Sequence, residues 1–336
     1  MSSRSSKQQP VEPVLITFNR AEKVHATLSA FFKAGWADRT FHVLDNASTD
    51  NTADVIKAFQ DNWPGLHYHR NSYNIGGNAN ILRSLEIATS PYHWVIGDDD
   101  EWIFESADEL EDILNAGKAD VIRLGWLAKE YSRGCYILLS DLLDSEPLVF
   151  ASTSMISATI IRRSKITPSL PLAYHHVAYA YPQLVSLLTE DPANVTVYTL
   201  ADNYMVHIPS SEIGYFIGDL EWYACWFSMG KLIKNQHLRF KFLREIFVLM
   251  RGENVSRLTI AIWLTKVALN AKGMNMAQGS FLLRMLGEGK GYRLPIFVAG
   301  LAYCLTPFPL ARFLRKTVRQ LAGKSTEIPS RAESRL

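Results

Sequence analysis

The sequence predicts an α/β fold in which a mostly parallel sheet is flanked by helices, followed by a helical C-terminal extension. From Pro13 onward, short apolar runs alternate with segments of helical periodicity, the order that produces parallel strands and crossover helices. Polar clusters follow several of these apolar runs directly. From Trp222 the apolar residues recur at helical spacing over long segments that are also rich in basic residues.

The first hundred residues read as a βαβαβαβ unit. Its helices are predicted at Ala21–Ala34, around Val55–Phe59, and at Ala79–Ala88. Its strands are predicted at Val14–Thr17, Phe41–Leu44, Leu66–His69 and Trp94–Ile96. Because ligands of open parallel sheets bind at the carboxyl ends of the strands, we expect the polar clusters at those ends to converge in space.

The second half has a looser pattern. Strand-like stretches are predicted at Val121–Leu124, Tyr136–Leu139, Met155–Ile161 and Val195–Leu200, and helices at Leu232–Met250, Leu258–Ala271 and Pro295–Leu321. We therefore predict a disordered leader (1–12), a catalytic domain (13–215, divided at 105/106), a helical extension that associates with membranes in one interpretation (216–322), and a disordered tail (323–336).

Composition narrows the class of protein. A chain of 336 residues with 48% hydrophobic residues can bury a core, which excludes global disorder. Its net charge of +2 gives no field that demands nucleic acid as a partner. Three dispersed cysteines and no apolar signal segment predict a reducing, cytoplasmic location. The apolar stretch Leu294–Leu314 carries Arg312 and is interrupted by Pro307 and Pro309, so we do not expect a continuous membrane-spanning helix.

Asp98, Asp99 and Asp100 come directly after the fourth predicted strand. Carboxylate oxygens suit a hard divalent cation such as Mn²⁺ or Mg²⁺, which completes its shell with water and phosphate oxygens. The alternative is that these acids precede a helix at Glu101–Leu114, whose N-terminal dipole favours negative charge.

Three further clusters stand after predicted strands. Asp45 can accept hydrogen bonds from a nucleoside, while Ser48–Asp50 mainly caps the following helix. The segment Thr17-Phe18-Asn19-Arg20 offers backbone groups, an aromatic face and a cation. Gly76, Gly77 and Asn78 lack the spacing of a P-loop or dinucleotide fingerprint, so either close approach to a ligand or a plain glycine turn explains them.

Together the segments LITFNR, VLDNASTDNT, YNIGGNANILRSLEIA and YHWVIGDDD resemble the nucleotide-binding half of a family 2 glycosyltransferase with the GT-A fold. The resemblance covers residues 13 to about 105 and is nearest in character to bacterial O-antigen and capsule enzymes of the abequosyltransferase type. Ile16 and Phe18 depart from the family pattern, which usually has Pro and Tyr there.

The resemblance implies specific roles and partners. Thr17, Asn19 and Asp45 would contact the nucleoside, Asp98 the ribose or donor sugar, and Asp100 the metal. Asp99 could share either role, and Asp98 is a second candidate metal ligand. The donor would be a nucleoside-diphosphate-sugar. The acceptor would be a hydroxyl of a cell-surface glycan or a polyprenyl-linked oligosaccharide, with inversion at the transferred carbon.

Such a transfer needs a base to deprotonate the acceptor. Asp191, in the acidic pair Glu190-Asp191, and His176, in the pair His175-His176, are the first candidates. The stretch Asp219-Leu220-Glu221 is a further one, and His207 is a candidate additional metal ligand. Packing or surface roles are the alternative for the histidines.

Two questions stay open at the level of sequence. The basic and aromatic C-terminal helices either lie on an anionic membrane surface, which would place the protein on the inner face of the plasma membrane, or pack on the catalytic domain. The site belongs either to a transferase or to a non-catalytic scaffold that retains the fold. A nucleotidyltransferase is disfavoured because the first strand is not followed by a Gly-rich basic loop.

Overall fold

The computed structural model describes residues 9–104, 107–125, 134–178, 181–201, 204–206, 220–252, 255–273, 279–289 and 291–321. By its internal contacts the chain divides into two compact units, Met1–Pro209 and Ser210–Leu336. The predicted leader lies mostly outside the described residues, as do the predicted tail, His207 and Asp219.

The first unit is built on one large mixed sheet and a two-stranded ribbon. The strands are β1 (Val11–Thr17), β2 (Phe41–Asp45), β3 (Leu66–Arg70), β4 (Tyr92–Ile96), β5 (Glu101–Trp102), β6 (Val121–Arg123), β7 (Cys135–Leu138), β8 (Thr159–Arg162), β9 (Thr196–Thr199) and β10 (Met205–Val206). The large sheet has the order β3-β2-β1-β4-β8-β6-β9-β7, and β5 pairs with β10 in the ribbon.

Helices connect these strands and form the second unit. Those of the first unit are α1 (Ala21–Lys33), α2 (Thr52–Gln60), α3 (Gly77–Ile87), α4 (Ala107–Ala116), α5 (Leu139–Ser145), α6 (Val149–Ser154), α7 (Arg163–Ile166), α8 (Leu170–His175) and α9 (Val185–Thr189). Those of the second are α10 (Leu220–Met229), α11 (Gln236–Arg251), α12 (Arg257–Gly273), α13 (Gly279–Glu288), α14 (Arg293–Leu305) and α15 (Phe308–Leu321).

Helix α1 shows why these residues form these elements. Val24, Leu28 and Phe31 recur at helical spacing, and all three are fully buried in the main core. The Phe31 ring lies 5.7 Å from the Trp94 ring of β4 and 4.8 Å from the Trp102 ring of β5, centroid to centroid. These aromatic contacts fix the helix against the centre of the sheet.

The carboxyl ends of the parallel strands lie along one edge of the sheet, called the functional edge below, and strand direction determines which residues reach it. β1 pairs in parallel with β2 and β4, and β2 pairs in parallel with β3. Thr17 is opposite Asp45, and Asp45 is opposite Arg70, so the carboxyl ends of these strands meet at one edge. The mostly parallel sheet with flanking helices and a helical C-terminal region confirms the predicted fold class.

The helix predicted at Glu101–Leu114 begins later than expected. Glu101 and Trp102 form β5 instead, paired with Val206 and Met205, and α4 begins at Ala107. Trp102 packs on the aromatic core, and this tertiary contact outweighs local helix propensity. The acids after β4 are therefore not the first turn of a helix.

The described residues of the second unit form helices and the short connections between them. Within those residues, no single helix has both the length and the apolar character needed to cross a membrane. The pair formed by α14 and the first part of α15 meets both criteria together, but it bends by 111° at the break between the helices.

Candidate active site

The acids after β4 are held at the carboxyl edge of the parallel strands. Asp98 and Asp100 are buried, with 5% and 7% of their surface exposed, and Asp99 is half-buried. The Thr17 hydroxyl donates a hydrogen bond of 2.7 Å to Asp98 Oδ2. Arg20 Nη1 donates to Asp98 Oδ1 at 2.8 Å and approaches Asp99 Oδ2 at 3.4 Å. Residues 78 or more positions apart in the chain thus meet in one cluster.

The electrostatics of Asp98 combine two opposing effects. Burial raises the pKa of Asp98, while the Arg20 guanidinium and the Thr17 hydrogen bond act against that rise. The neighbouring Asp99 raises it further. Arg20 therefore supplies the positive charge that keeps a buried carboxylate compatible with its surroundings.

The carboxylates of Asp99 and Asp100 fold back close to the backbone of Gly97. A Cβ at this position would lie 3.1 Å from Asp99 Oδ1, 3.5 Å from Asp100 Oδ2 and 3.4 Å from the Ser157 hydroxyl. That hydroxyl accepts a hydrogen bond of 2.9 Å from Gly97 N. The missing side chain leaves room for these oxygens to gather at the end of β4.

This oxygen-only donor set fits a hard divalent cation. Mg²⁺ and Mn²⁺ are held by one or two carboxylates, and phosphate and water oxygens complete their shell. Within the described part of the chain, no group of three or more His, Cys, Asp or Glu side chains is arranged to hold a metal ion. A cation at Asp98 to Asp100 would accordingly need ligand oxygens from a bound diphosphate.

Asp45 anchors the loop that follows β2. Its carboxylate is fully buried. Ser48 N donates to Asp45 Oδ1 at 2.8 Å, the Tyr68 hydroxyl donates to Oδ2 at 2.7 Å, and Arg70 Nε lies 3.4 Å from Oδ2. Burial and the bond to Asp45 raise the pKa of Tyr68. Through these contacts Asp45 holds the loop after β2 in place.

The loops after β1 and β2 lock each other in strained conformations. Asn19 and Ala47 adopt positive φ angles of 52° and 68°. Asn19 N donates to Ser48 Oγ at 2.8 Å, and Thr49 N donates to Asn19 Oδ1 at 2.7 Å. Such left-handed conformations in residues other than glycine are maintained only where the surroundings enforce them, and they concentrate at ligand sites.

Asp50 caps as predicted but at two helices. Its Oδ1 accepts from Thr52 N at 3.1 Å in the first turn of α2, and its Oδ2 accepts from Ala21 N at 3.1 Å at the start of α1. One side chain therefore ties the beginnings of both helices together beside the site.

An amide network joins the loop after β3 to the same edge. Asn71 Nδ2 donates to Asn46 Oδ1 and to Asn80 Oδ1, both at 2.9 Å. Asn46 Nδ2 donates to Asn74 Oδ1 at 2.7 Å. Gly76, which precedes α3, has a φ of +83°, a conformation that favours glycine. Gly76, Gly77 and Asn78 therefore lie beside the cluster, at the N-terminus of α3.

The two predicted bases lie in different places. Asn78 Nδ2 donates to Val177 O at 3.1 Å, which brings His176, one residue earlier, to the functional edge. Asp191 is exposed in the turn before β9, where its Oδ1 accepts from Ala193 N. Because β9 runs in the same direction as β4, that turn is at the opposite edge of the sheet. The structure does not bring Asp191 to the carboxylate cluster.

Several members of the site were not singled out from sequence. Tyr68 and Arg70 on β3 bind Asp45, and Asn46 and Asn71 carry the amide network. A signal was available for the asparagines, since each directly follows a strand. None distinguished Tyr68 from any other residue of an alternating strand.

Comparison with known proteins agrees with this geometry. A family model described as glycosyl transferase family 2 matches residues 14–177, the segment that contains every cluster described above. This segment belongs to glycosyl transferase family 2. The resemblance predicted from its motifs is thereby confirmed.

Two similar proteins are bacterial and are named as glycosyltransferases. Abequosyltransferase RfbV of Salmonella typhimurium is 29% identical over 131 residues, 39% of this chain and 34% of that protein. The poly(ribitol-phosphate) beta-N-acetylglucosaminyltransferase TarP of Staphylococcus aureus is 31% identical over 113 residues, 32% of this chain and 33% of that protein. The chain spans about a third of the length of these relatives.

Solved structures show the same fold over most of the chain. S. aureus TarS 1–349 in complex with UDP has a TM-score of 0.55 at 14% identity, covering 92% of this chain and 91% of that one. TarS 1–349 in complex with UDP-GlcNAc gives the same TM-score over 94% and 93%. At this identity the likeness concerns the fold alone.

Proposed function

We propose that this protein is an inverting glycosyltransferase that moves a sugar from a nucleoside-diphosphate-sugar to a hydroxyl of a cell-surface glycan or a polyprenyl-linked oligosaccharide. The observation that carries the proposal is the convergence of Thr17, Arg20 and Asp98 to Asp100 at the carboxyl edge of the parallel strands, within the family 2 segment. Binding of UDP and UDP-GlcNAc by TarS, which shares the fold, supports a nucleotide-sugar donor.

The residues divide the work by position. Phe18, Asn19 and the loop held by Asp45 would bind the nucleoside, with Gly76, Gly77 and Asn78 close to it on the neighbouring loop. Asp98 and Asp99 would contact the ribose or donor sugar. Asp100, with Asp98, would hold Mn²⁺ or Mg²⁺, and the cation would neutralise charge on the departing diphosphate. Arg20, whose Nη1 lies within 3.4 Å of oxygens of Asp98 and Asp99, would add a positive charge beside the same diphosphate.

His176 is our proposed base. It would take the proton of the acceptor hydroxyl as the oxygen forms its bond to the anomeric carbon and the bond from that carbon to the diphosphate breaks on the opposite face. The hydrogen bond from Asn78 Nδ2 to Val177 O holds the backbone next to His176 at the functional edge, and this supports His176 over Asp191 as the base.

Location follows from the acceptor. A polyprenyl-linked oligosaccharide is presented at a membrane surface, so peripheral association with the inner face of the plasma membrane is part of this proposal. The amphipathic basic helix α15 supports it.

Asp100→Asn tests the metal role. We expect sugar-nucleotide hydrolysis or transfer to fall by roughly a hundredfold or more, because a charge that stabilises the leaving group is lost. Asp112→Asn, an exposed aspartate of α4, is the matched control and keeps wild-type turnover. Circular dichroism should show native helix and strand content in both variants. Unchanged turnover in a folded Asp100→Asn protein would rule out the metal role.

A thermal-shift panel identifies the donor. UDP-, GDP-, CDP- and dTDP-sugars are compared with and without Mn²⁺, since a ligand that binds the native state raises its melting temperature. We expect one nucleotide to stabilise the protein, and more strongly with Mn²⁺. No shift with any of them would contradict a nucleotide-sugar site.

A further inference from the structure

The last two helices expose an apolar face. On α14 and α15 the exposed apolar residues recur at helical spacing along one side of each helix, with exposed fractions from 38% to 85%: Leu294, Phe297, Val298, Leu301 and Leu305 on α14, and Leu310, Phe313, Leu314, Val318 and Leu321 on α15. In a helix that packs only against protein, such a stripe faces the core. Here it faces outward.

A different side of each helix makes the protein contacts. Ile296 and Ala299 of α14 are fully buried, as is Ala311 of α15. Both helices pack on α12, where the backbone of Gly273 lies close to Ala311 and Arg315. The exposed apolar stripes are therefore left over after the helices have packed, and grouped exposed apolar residues, unlike single scattered ones, mark interaction surfaces.

Charge identifies the partner. From Arg293 to Leu321 the sequence has five basic residues and no acidic residue. Arg312 and Lys316 are exposed on the polar side of α15. A helix with an apolar face and a Lys/Arg-rich polar face lies in the plane of an anionic membrane interface. A symmetric contact with a second copy of this chain would instead bring these basic residues face to face.

Resting on the proposed function, we infer that the outward faces of α14 and α15 form the membrane-docking surface of this protein, and that anionic lipid is its partner. The bend of 111° between the helices fits two segments that lie along the surface. Phe297, Leu301 and Phe313 enter the boundary between headgroups and acyl chains, while Arg312 and Lys316 reach the headgroup phosphates.

Flotation with vesicles tests the surface without using catalysis. The full chain is mixed with vesicles of phosphatidylcholine alone or of phosphatidylcholine with phosphatidylglycerol. We expect it to float with the anionic vesicles, and less so as salt rises. Wild-type protein that floats with neither vesicle overturns the inference.

Matched variants separate the apolar and charged contributions. Phe297→Gln and Phe313→Gln should each lower partitioning about tenfold, since each removes a large apolar group from the interface. Leu138→Gln, on β7 and also exposed, should leave it unchanged. The pair Arg312→Gln and Lys316→Gln should lower binding to anionic vesicles about fivefold per charge, while Lys118→Gln does not. Equal flotation of all variants overturns the assignment.

Two further measurements distinguish anionic lipid from a second copy of this chain as the partner of this surface. Cys304 is exposed on α14, so an environment-sensitive fluorophore attached there, in a Cys135→Ser background, should shift its emission to shorter wavelength when anionic vesicles are added. Analytical ultracentrifugation should show the same oligomeric state for wild type and Phe313→Gln. A wild-type dimer that this variant dissociates would assign the face to a second copy. Flotation without donor binding would refute the transferase and leave the docking surface intact.

Discussion

At the residue scale, the site depends on side chains that support other side chains. Asp45 is fully buried, and its oxygens are engaged by Ser48 N, the Tyr68 hydroxyl and Arg70. A buried carboxylate is stable only when its hydrogen-bonding capacity is used, so each partner contributes to the shape of the loop.

Tyr68→Phe tests that support. Loss of a hydrogen bond to a carboxylate should lower the free energy of unfolding by roughly 1–3 kcal/mol and weaken nucleotide binding, because the loop after β2 loses one anchor. Urea denaturation and calorimetric titration with the nucleotide measure the two effects. Tyr73→Phe, at a residue that is 79% exposed, should match wild type in both. Wild-type stability and affinity in Tyr68→Phe would mean that Arg70 and Ser48 suffice.

The positions of single residues were predictable where a polar side chain stands at the end of a clear apolar strand. Asp45 and Asp98 each follow an apolar strand, and both lie at the functional edge. Asp191 was chosen because the family resemblance implies a base in an acidic pair of the second half, but the turn that holds it precedes its strand. Strand direction in the second half decides the edge, and β8 runs against β4, which the pattern of apolar residues does not reveal.

At the scale of elements, β4 is followed at its carboxyl end by the carboxylates of the candidate site, and it contains a buried histidine near its amino end. His93 is 4% exposed, and Ser84 Oγ lies 3.4 Å from its Nε2. Burial and the nearby Arg163 lower the pKa of His93 to about 3. The neutral imidazole is therefore the form that fits between β4 and its covering helices.

The pH dependence of stability follows from that pKa. Between the unfolded value of 6.5 and about 3, the unfolded chain binds a proton that the folded protein does not, so His93 contributes stability above pH 6.5 and loses it as the pH falls. His93→Gln should remove this dependence. Urea denaturation of both proteins from pH 7 to pH 4 should show the wild type losing at most about 1.4 kcal/mol per pH unit relative to the variant.

His42 provides an internal control for this comparison. Burial lowers its pKa to about 4, an effect that His67 and His69 reinforce and Glu12 opposes, and this group is present in both proteins. Its contribution cancels in the difference. Parallel stability curves for wild type and His93→Gln would show that His93 is not held neutral.

Elements that depend on local pattern were predicted well, and those that depend on tertiary contact were not. Strands β1 to β4 and helices α1 to α3 were expected at nearly their observed bounds, since each has a clear apolar period. Trp102 carried no local signal for β5, because its strand exists only through pairing with β10 and packing on Phe31.

At the scale of the whole first unit, one sheet joins its first half, which contains β1 to β4, to its second half, which contains β6 to β9. β4 pairs with β8, and β8 pairs with β6, so the family 2 motifs share a hydrogen-bonded layer with the second half. In that half Arg123 and Glu146 form a buried ion pair at 2.9 Å, with 2% and 3% of their side chains exposed, and Arg123 also donates to Ser152 Oγ.

Breaking this pair should therefore destabilise the entire unit. Glu146→Leu leaves a buried guanidinium without its carboxylate and should cost roughly 3–5 kcal/mol, whereas the double change Arg123→Met with Glu146→Leu should recover most of that loss, because no unpaired charge remains. Urea unfolding followed by far-ultraviolet circular dichroism gives the energies. Melting of donor-bound protein shows whether the nucleotide site is lost in the same transition. If nucleotide binding persisted at urea concentrations at which the second half of the unit had unfolded, the shared sheet would not couple the two halves.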